Sequence, residues 1–426
     1  MYLRSIELSG LRSIDELRWS LEAGRDAAGW HVIIGDNGAG KSTILRSVAL
    51  ALVGDGEAAA LRQNWDEWLR RGAQRGHITL SLERDAEFDA FSKAGRAPKS
   101  KALRLGLSLE RSEMGVTLGR PKVSPDPTRH VWGPGAGWFS ASYGPFRRFS
   151  GGDKDQEKLF FSNPRLARHL SVFGESIALS EAVEWLKTLR FRALEKNVEA
   201  ARFLESLRVF VNQPDFLPHG ATLESVSSEG VHFKDGNGYT LPVNALSDGY
   251  RSVLSMTFEL VRQLAATFGI DRVFSADRTR VVPSGLVLID EVDAHLHPTW
   301  QRRIGPWFRR HFPRLQFIVT THSPFVCQSA EAGTVFRLPQ PGSEDRGRMI
   351  TGVELDRLLY GNILDAYGTG LFGDGATRSE AAQAKLQRLA ELNLKSLRAQ
   401  LAKTEAIEHD QLRAVMSTVR LGEPTA

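Results

Sequence analysis

The sequence predicts an α/β fold: a mixed sheet with antiparallel N-terminal strands, a helical insertion and a helical C-terminal tail. Three observations carry that expectation. Short apolar strands alternate with helical patterns; a glycine turn, GDNGAGKST (35–43), sits between a strand and a helix; and a second apolar strand, LVLIDE (286–291), ends in two adjacent acids.

YLRSIELSG and IDELRWSLEA alternate apolar and polar residues, an antiparallel edge leading into the apolar strand WHVIIG. KSTILRSVALALVG places apolar residues at helical spacing and ends at Gly54. Further strands are expected between Ile78 and Leu118, interrupted by the basic loop KAGRAPKSKA, and Pro121 to Gly137 reads as loop. From Leu159 to Leu207 the apolar residues recur at threes and fours, which predicts a helical insertion. LESVSSEGVHFKDGNGYTL reads as a hairpin, because Asp235-Gly236-Asn237-Gly238 are residue types that accept positive φ. LSDGYRSVLSMTFELVRQLAATFG (helix), GLVLID (buried strand), HPTWQRRIGPWFRRHF (helix) and LQFIVTTHS (buried strand) follow, and Ser379 to Leu421 form amphipathic helices suited to pack on the domain or to engage a partner. The chain divides into 1–157 and 213–345, the two parts of a phosphate-loop domain, with the insertion at 158–212 and the tail at 346–426. No internal repeat is present.

At 426 residues the chain can bury a large core, and its single cysteine, Cys327, excludes an intramolecular disulfide and fits a reducing, cytoplasmic compartment. The N-terminus has no apolar core of signal-peptide length, and no apolar run approaches the roughly 18 residues of a membrane span, so no membrane partner is expected. The formal charge of +5 is uneven: Phe91 to His130 holds nine Lys/Arg (93, 96, 99, 101, 104, 111, 120, 122, 129) against three acids (110, 113, 126). A nucleic-acid backbone is one partner for such a surface, and a solvated face is the other reading.

GDNGAGKST fits G-x-x-x-x-G-K-[ST] in its confirming strand-to-helix context. Gly35, Gly38 and Gly40 let the backbone wrap so that N–H groups of the Gly35 to Thr43 segment, Asn37 and Ala39 included, point at phosphate, and the helix that follows presents its positive end. Lys41 would neutralise the β- and γ-phosphates and Ser42 would ligate Mg²⁺. Asp290 supplies the second metal anchor and Glu291 is placed to polarise the attacking water as general base. The plain alternatives are a glycine turn closing a βα unit and a buried strand that merely ends in charge. His295 and His297 in DAHLHP lack further ligands to complete a zinc shell, so a turn lining an interface fits better. In LSDGYRS, Ser247 either caps the helix or, with Gly249 and the helix N-terminus, binds a second phosphate group. His322 ends the strand of VTTHSP, where a histidine is either structural or part of the same cluster.

The order phosphate loop, LSDG, LIDE, DAHLHP, THSP resembles the ABC-type ATPase heads of the SMC, RecF and overcoming-lysogenization-defect group. It is most similar to the stand-alone bacterial ATPases of the virulence-associated ATP-binding type found beside nucleases in Septu and retron antiphage systems. The resemblance covers Met1 to about Ala330, with GLRS at Gly10 to Ser13 and YGPFR at Tyr143 to Arg147, and is diffuse beyond Val353. It implies a P-loop NTPase of ABC/SMC-head type that uses ATP and Mg²⁺, with Lys41, Glu291 and His322 catalytic, the last as a switch sensing the γ-phosphate. It also implies a homodimer or larger even oligomer in which Ser247 and Gly249 contact the γ-phosphate held by the other protomer. Ala294 to His297 would cross that interface, an aspartate standing at the His297 position in transporters, and Arg12 and Ser13 would meet nucleotide. Gln156 is the nearest glutamine to a Q-loop and is not assigned. The implied function is the ATPase of an antiphage complex coupled to a nuclease or DNA. The rivals are a DNA-repair ATPase of the SMC/RecF kind, a transporter subunit and a self-sufficient nuclease, though the acids after Ala330, in SEDRGR and ELDRL, are scattered rather than set as D-x-D after an apolar strand. A non-hydrolysing scaffold sits poorly with the presence of both Asp290 and Glu291.

Overall fold

A computed structural model describes residues 1–91, 101–133, 137–145, 163–174, 181–214, 216–343, 345–362, 380–398 and 401–416. Two compact units emerge, Met1–Gly361 and Asn362–Ala426. Among its described residues the second has two helices, Glu380–Arg398 and Lys403–Met416, joined by Arg388–Glu408 and Lys395–Glu405 ion pairs.

The first unit contains two main sheets. Strands β1 (Tyr2–Leu11), β2 (Ile14–Ser20), β4 (Arg75–Glu83), β5 (Ala102–Ser112) and β6 (Gly115–Gly119) pair antiparallel in the order β2-β1-β4-β5-β6. The N-terminal strands thus form a sheet with β4 instead of edging the one that holds β3 (Gly29–Ile34). β3 belongs to a second sheet, β14-β13-β3-β12-β11-β7, with β7 Ser140–Tyr143, β11 Gly285–Ile289, β12 Leu315–Thr321, β13 Thr334–Arg337 and β14 Arg348–Met349. Every pairing in it is parallel except β13 with β14. β3, β11 and β12 are buried at every position, which is why they read as mostly apolar runs.

Helix α1 (Lys41–Val53) packs between the two sheets, touching β4 and β5 on one side and β7 and β11 on the other, and eleven of its thirteen residues are buried. Truncating one of these leucines, such as Leu50, would cost roughly 2–5 kcal/mol. The sheets are also stitched by Gln316 of β12, whose side chain accepts from Leu3 N at 2.6 Å and donates to Leu3 O at 2.9 Å. Within the insertion, α2 (Glu181–Leu194) and α3 (Val198–Val211) pack on each other, and α2 also lies against the long helix α4 (Asp248–Phe268). Arg262 of α4 joins them, pairing with the buried Glu259 and, at 3.0 Å, with Glu181. The hairpin β8 (Thr222–Ser227) and β9 (Gly230–Lys234) gains a third strand, β10 (Thr240–Pro242). Helices α5 (Pro298–His311) and α6 (Pro324–Gln328) follow β11 and β12. Among the described residues no helix is long and apolar enough to cross a membrane.

Candidate functional site

The parallel sheet fixes where chemistry can occur. β3, β12 and β11 are adjacent and point the same way, so the loops leaving their C-terminal ends, 35–40, 322–323 and 290–297, meet at one edge. The loop after β3 turns through Gly38 (φ 80°) and Gly40 (φ 99°), backbone angles that side chains rarely adopt. A Cβ on Gly40 would lie 3.0 Å from Ser13 Oγ, so the β1–β2 turn sits directly against the loop. Gly40 caps α1 without a side-chain hydrogen bond, leaving the first N–H groups of a buried helix for an anion. Asn37 and Gly38 are exposed at the crest, Ala39, Lys41 and Thr43 are buried, and Ser42 is half-buried.

Lys41 folds back over the loop, its Nζ donating to Gly35 O at 2.8 Å and Asp36 O at 3.1 Å. Burial lowers its ammonium from the ordinary lysine value, while Glu291, Asp290, Asp36 and Asp293 pull it upward. One lysine within the field of four carboxylates is a cation-poor arrangement that fits a divalent ion beside Ser42 and Asp290.

The two acids are held by the end of β12. Thr320 Oγ1 donates to Asp290 Oδ1 at 2.6 Å and accepts from Glu291 N at 2.8 Å. Thr321 Oγ1 donates to Asp293 Oδ1 at 2.5 Å and accepts from Ser323 N at 2.9 Å. Asp290 is buried, its N–H donating to Tyr143 O at 2.8 Å, whereas Glu291 is half-buried with φ 47°, in the left-handed region. His322 lies in the same field: burial lowers it, Lys41 lowers it further, and Asp293, Glu291 and Asp36 oppose.

The LSDG and DAHLHP segments meet elsewhere on the chain. Ser247 stands at the N-cap of α4 but makes no capping bond. A Cβ on Gly249 would approach His295 O to 3.3 Å, and Ser247, Asp248, Gly249, His295, Leu296, His297 and Trp300 help line an open cavity of about 690 Å³. His297 caps α5, its Nδ1 accepting from Thr299 N at 3.4 Å with Pro298 at the first helical position. The imidazole therefore does what an aspartate does at many helix starts.

Arg12 (φ 46°) stacks on Trp68, its guanidinium 4.7 Å from the ring centre, and its carbonyl accepts from Arg70 Nη1 at 3.3 Å; Ser13 is exposed beside Gly40. Of the basic stretch, Lys93, Arg96 and Lys99 lie outside the described residues, as do Gln156 and Phe146 to Arg147 of the YGPFR segment. Lys101, Arg104, Arg111, Arg120, Lys122 and Arg129 are exposed, Arg111 paired with Asp66 at 3.0 Å. Sequence reasoning missed Asp36, Asp293, Thr320, Thr321, Gln301 and Ser323. The two threonines follow the apolar run of β12 directly, and a polar pair before a strand-end histidine was the available signal.

Residues 31–328 match the family described as AAA domain, putative AbiEii toxin, Type IV TA system. The chain is 26% identical to the Septu protein PtuA of Bacillus mycoides (strain KBAB4) over 381 residues, 86% of this chain and 45% of that protein. It is 37% identical to the Retron Ec83 probable ATPase of Escherichia coli over 123 residues, 29% of this chain and 22% of that one. It therefore spans less than half the length of these relatives. A structure of the SMC head bound to the C-winged helix domain of ScpA overlays on 83% of this chain and 99% of its own, at 15% identity and TM-score 0.48, a likeness too loose to carry argument.

Proposed function

We propose, for a chain that belongs to the AAA domain, putative AbiEii toxin, Type IV TA system family, that it is a Mg²⁺-dependent ATPase acting as a dimeric nucleotide switch, the ATPase component of an antiphage complex coupled to a nuclease. The observation that carries this is the meeting of the phosphate loop, the acid pair and His322 at one edge of the parallel sheet, with Lys41 and His322 each in the field of Glu291. Likeness to a Septu protein and a retron ATPase supports the defence setting. Residues 1–157 and 213–345 would form the ATPase head, and 346–426 would serve a partner.

In this reading the loop N–H groups and Lys41 bind the β- and γ-phosphates, and Arg12 and Ser13 flank them. Ser42 and Asp290 would hold magnesium, which would supply charge neutralisation on the phosphates. Glu291 takes the proton of the attacking water, and His322 orients the γ-phosphate. Ser247 and Gly249 complete the site of a second copy, because the Ser247 hydroxyl stands exposed at the start of α4 and makes no capping bond. The exposed basic residues around Lys101 and Arg104 are an interaction surface for a nucleic-acid backbone.

The test is hydrolysis by the purified chain with Mg²⁺ and with chelator. Phosphate release should need the metal, and Lys41→Ala should weaken ATP binding by roughly a hundredfold or more. Unchanged nucleotide affinity in Lys41→Ala would remove the phosphate-loop assignment.

A further inference from the structure

We infer that Gln301 is a positioning residue that carries the state of the nucleotide at the phosphate loop to the turn 294–297, and so to the signature beside it. The inference rests on the nucleotide-site reading above and adds to it a residue with no place in that reading.

Gln301 lies in the first turn of α5, half-buried, between two segments with separate tasks. Its Nε2 donates to Leu296 O at 2.8 Å, and its Oε1 accepts from Ser323 Oγ at 2.7 Å. A backbone carbonyl can only accept, which fixes the orientation of the amide. Ser323 follows His322 and is buried; it caps α6, its hydroxyl accepting from Phe325 N at 3.2 Å. Leu296 is buried in the turn whose His295 carbonyl lies against Gly249.

These contacts extend the threonine ladder. Thr320 holds Asp290 and Glu291, Thr321 holds Asp293, and Ser323 holds Gln301, which alone among these rungs reaches past the acids to the turn. A displacement of His322 by γ-phosphate moves Ser323, its covalent neighbour. Through one amide with no slack at either end, that displacement is delivered to Leu296 O. Met at 301 would fill the same volume with neither hydrogen bond. Ser323→Ala cuts the same link from the other side, and Ser323→Thr keeps the hydroxyl.

The experiment is amide hydrogen exchange on the full chain with and without Mg²⁺ and the non-hydrolysable analogue AMP-PNP, alongside ATP turnover. In wild type the analogue should slow exchange at both 35–43 and 294–297. In Gln301→Met and in Ser323→Ala, protection at 35–43 and the analogue's affinity should persist while protection at 294–297 is lost, and kcat should fall roughly tenfold with little change in KM. Combining the two should cost no more than either alone, and Ser323→Thr should behave as wild type. Should Gln301→Met melt at a lower temperature and lose all protection, Ser323→Ala decides. Wild-type-like protection at 294–297 in Ser323→Ala or in a folded Gln301→Met overturns the inference while leaving the nucleotide site standing. Absence of protection at 35–43 in wild type overturns the nucleotide reading and this inference with it.

Discussion

At the ends of β11 and β12, Thr320, Thr321 and Ser323 each hold a hydrogen bond to a residue of 290–301, and Asp290 is buried beneath them. At the start of α4, Ser247 is exposed, caps nothing and faces an open cavity. Both halves sit on the same chain, yet the side chains of the first are tied to one another while the Ser247 hydroxyl makes no capping bond. Buried polar groups must find partners within their own chain, because leaving one unmade costs about 1–3 kcal/mol, whereas an exposed hydroxyl can wait for water or a visitor. Under the proposed function, the closed half would hold the nucleotide within one chain and the open half would be offered to a second copy.

The sharpest way to break this contrast is at Glu291. Glu291→Gln should still bind ATP, since the loop and Lys41 are untouched, while turnover falls by about a hundredfold to ten-thousandfold. Wild-type turnover in that variant would end the general-base assignment. On the open half, Ser247→Arg should abolish turnover without weakening ATP binding to its own loop. Mixed with inactive Lys41→Ala it should regain part of the activity, because a mixed dimer holds one site with both residues intact. A Glu291→Gln chain that stays monomeric in light scattering when saturated with ATP, with no other protein present, would rule out the shared site.

A smaller effect separates support from chemistry within the closed half. Thr320→Val removes the hydroxyl that holds Asp290 and Glu291 N, so turnover should fall roughly tenfold and the unfolding free energy by about 1–2 kcal/mol. Unaltered kinetics would show that the acids hold their places without it. The smallest effect comes from acid. Burial pushes His31, which contacts Thr334 Oγ1 and Ala27 O in β3, down to about 4. The unfolded histidine takes its proton near its ordinary value of about 6.5, so between the two values the unfolded chain binds more protons. Stability from this group is full above that range and is lost as pH falls, about 1 kcal/mol between pH 7 and pH 5.5. Urea unfolding at those two pH values in wild type and in His31→Gln isolates it, because the other buried histidines shift both chains alike and the variant should show the smaller difference.

The parts of the fold that bury both faces of a strand were open to sequence reading. WHVIIG, GLVLID and LQFIVTT are mostly apolar because they are covered on both sides, and the phosphate loop announces itself through glycines that need positive φ. β7 was missed because SASY is four small or polar residues, which are buried, with His169 contacting Ser140 Oγ at 2.9 Å. β13 was missed because TVFR is too short to show a period, and it is defined by parallel pairing with β3, 303 residues away. The same limit hid Thr320, Thr321 and Gln301. Their importance is a matter of which carboxylate or carbonyl lies across from a hydroxyl or amide, and spacing along one chain says nothing of that. His297 shows the converse: its pattern suggested an interface turn, and locally its side chain caps α5.

The φ of 47° at Glu291 sets durability against turnover. A side chain in the left-handed region costs roughly 1 kcal/mol, which glycine there would recover in part and asparagine would tolerate. The residue that the reaction would need is thus the one the fold would prefer to lose. Selection for heat resistance alone would drift toward Gly or Asn at this position and yield a hardier chain that binds nucleotide and does nothing with it. Under the proposed function, a glutamate kept at position 291 would reflect selection on turnover and not on folding alone.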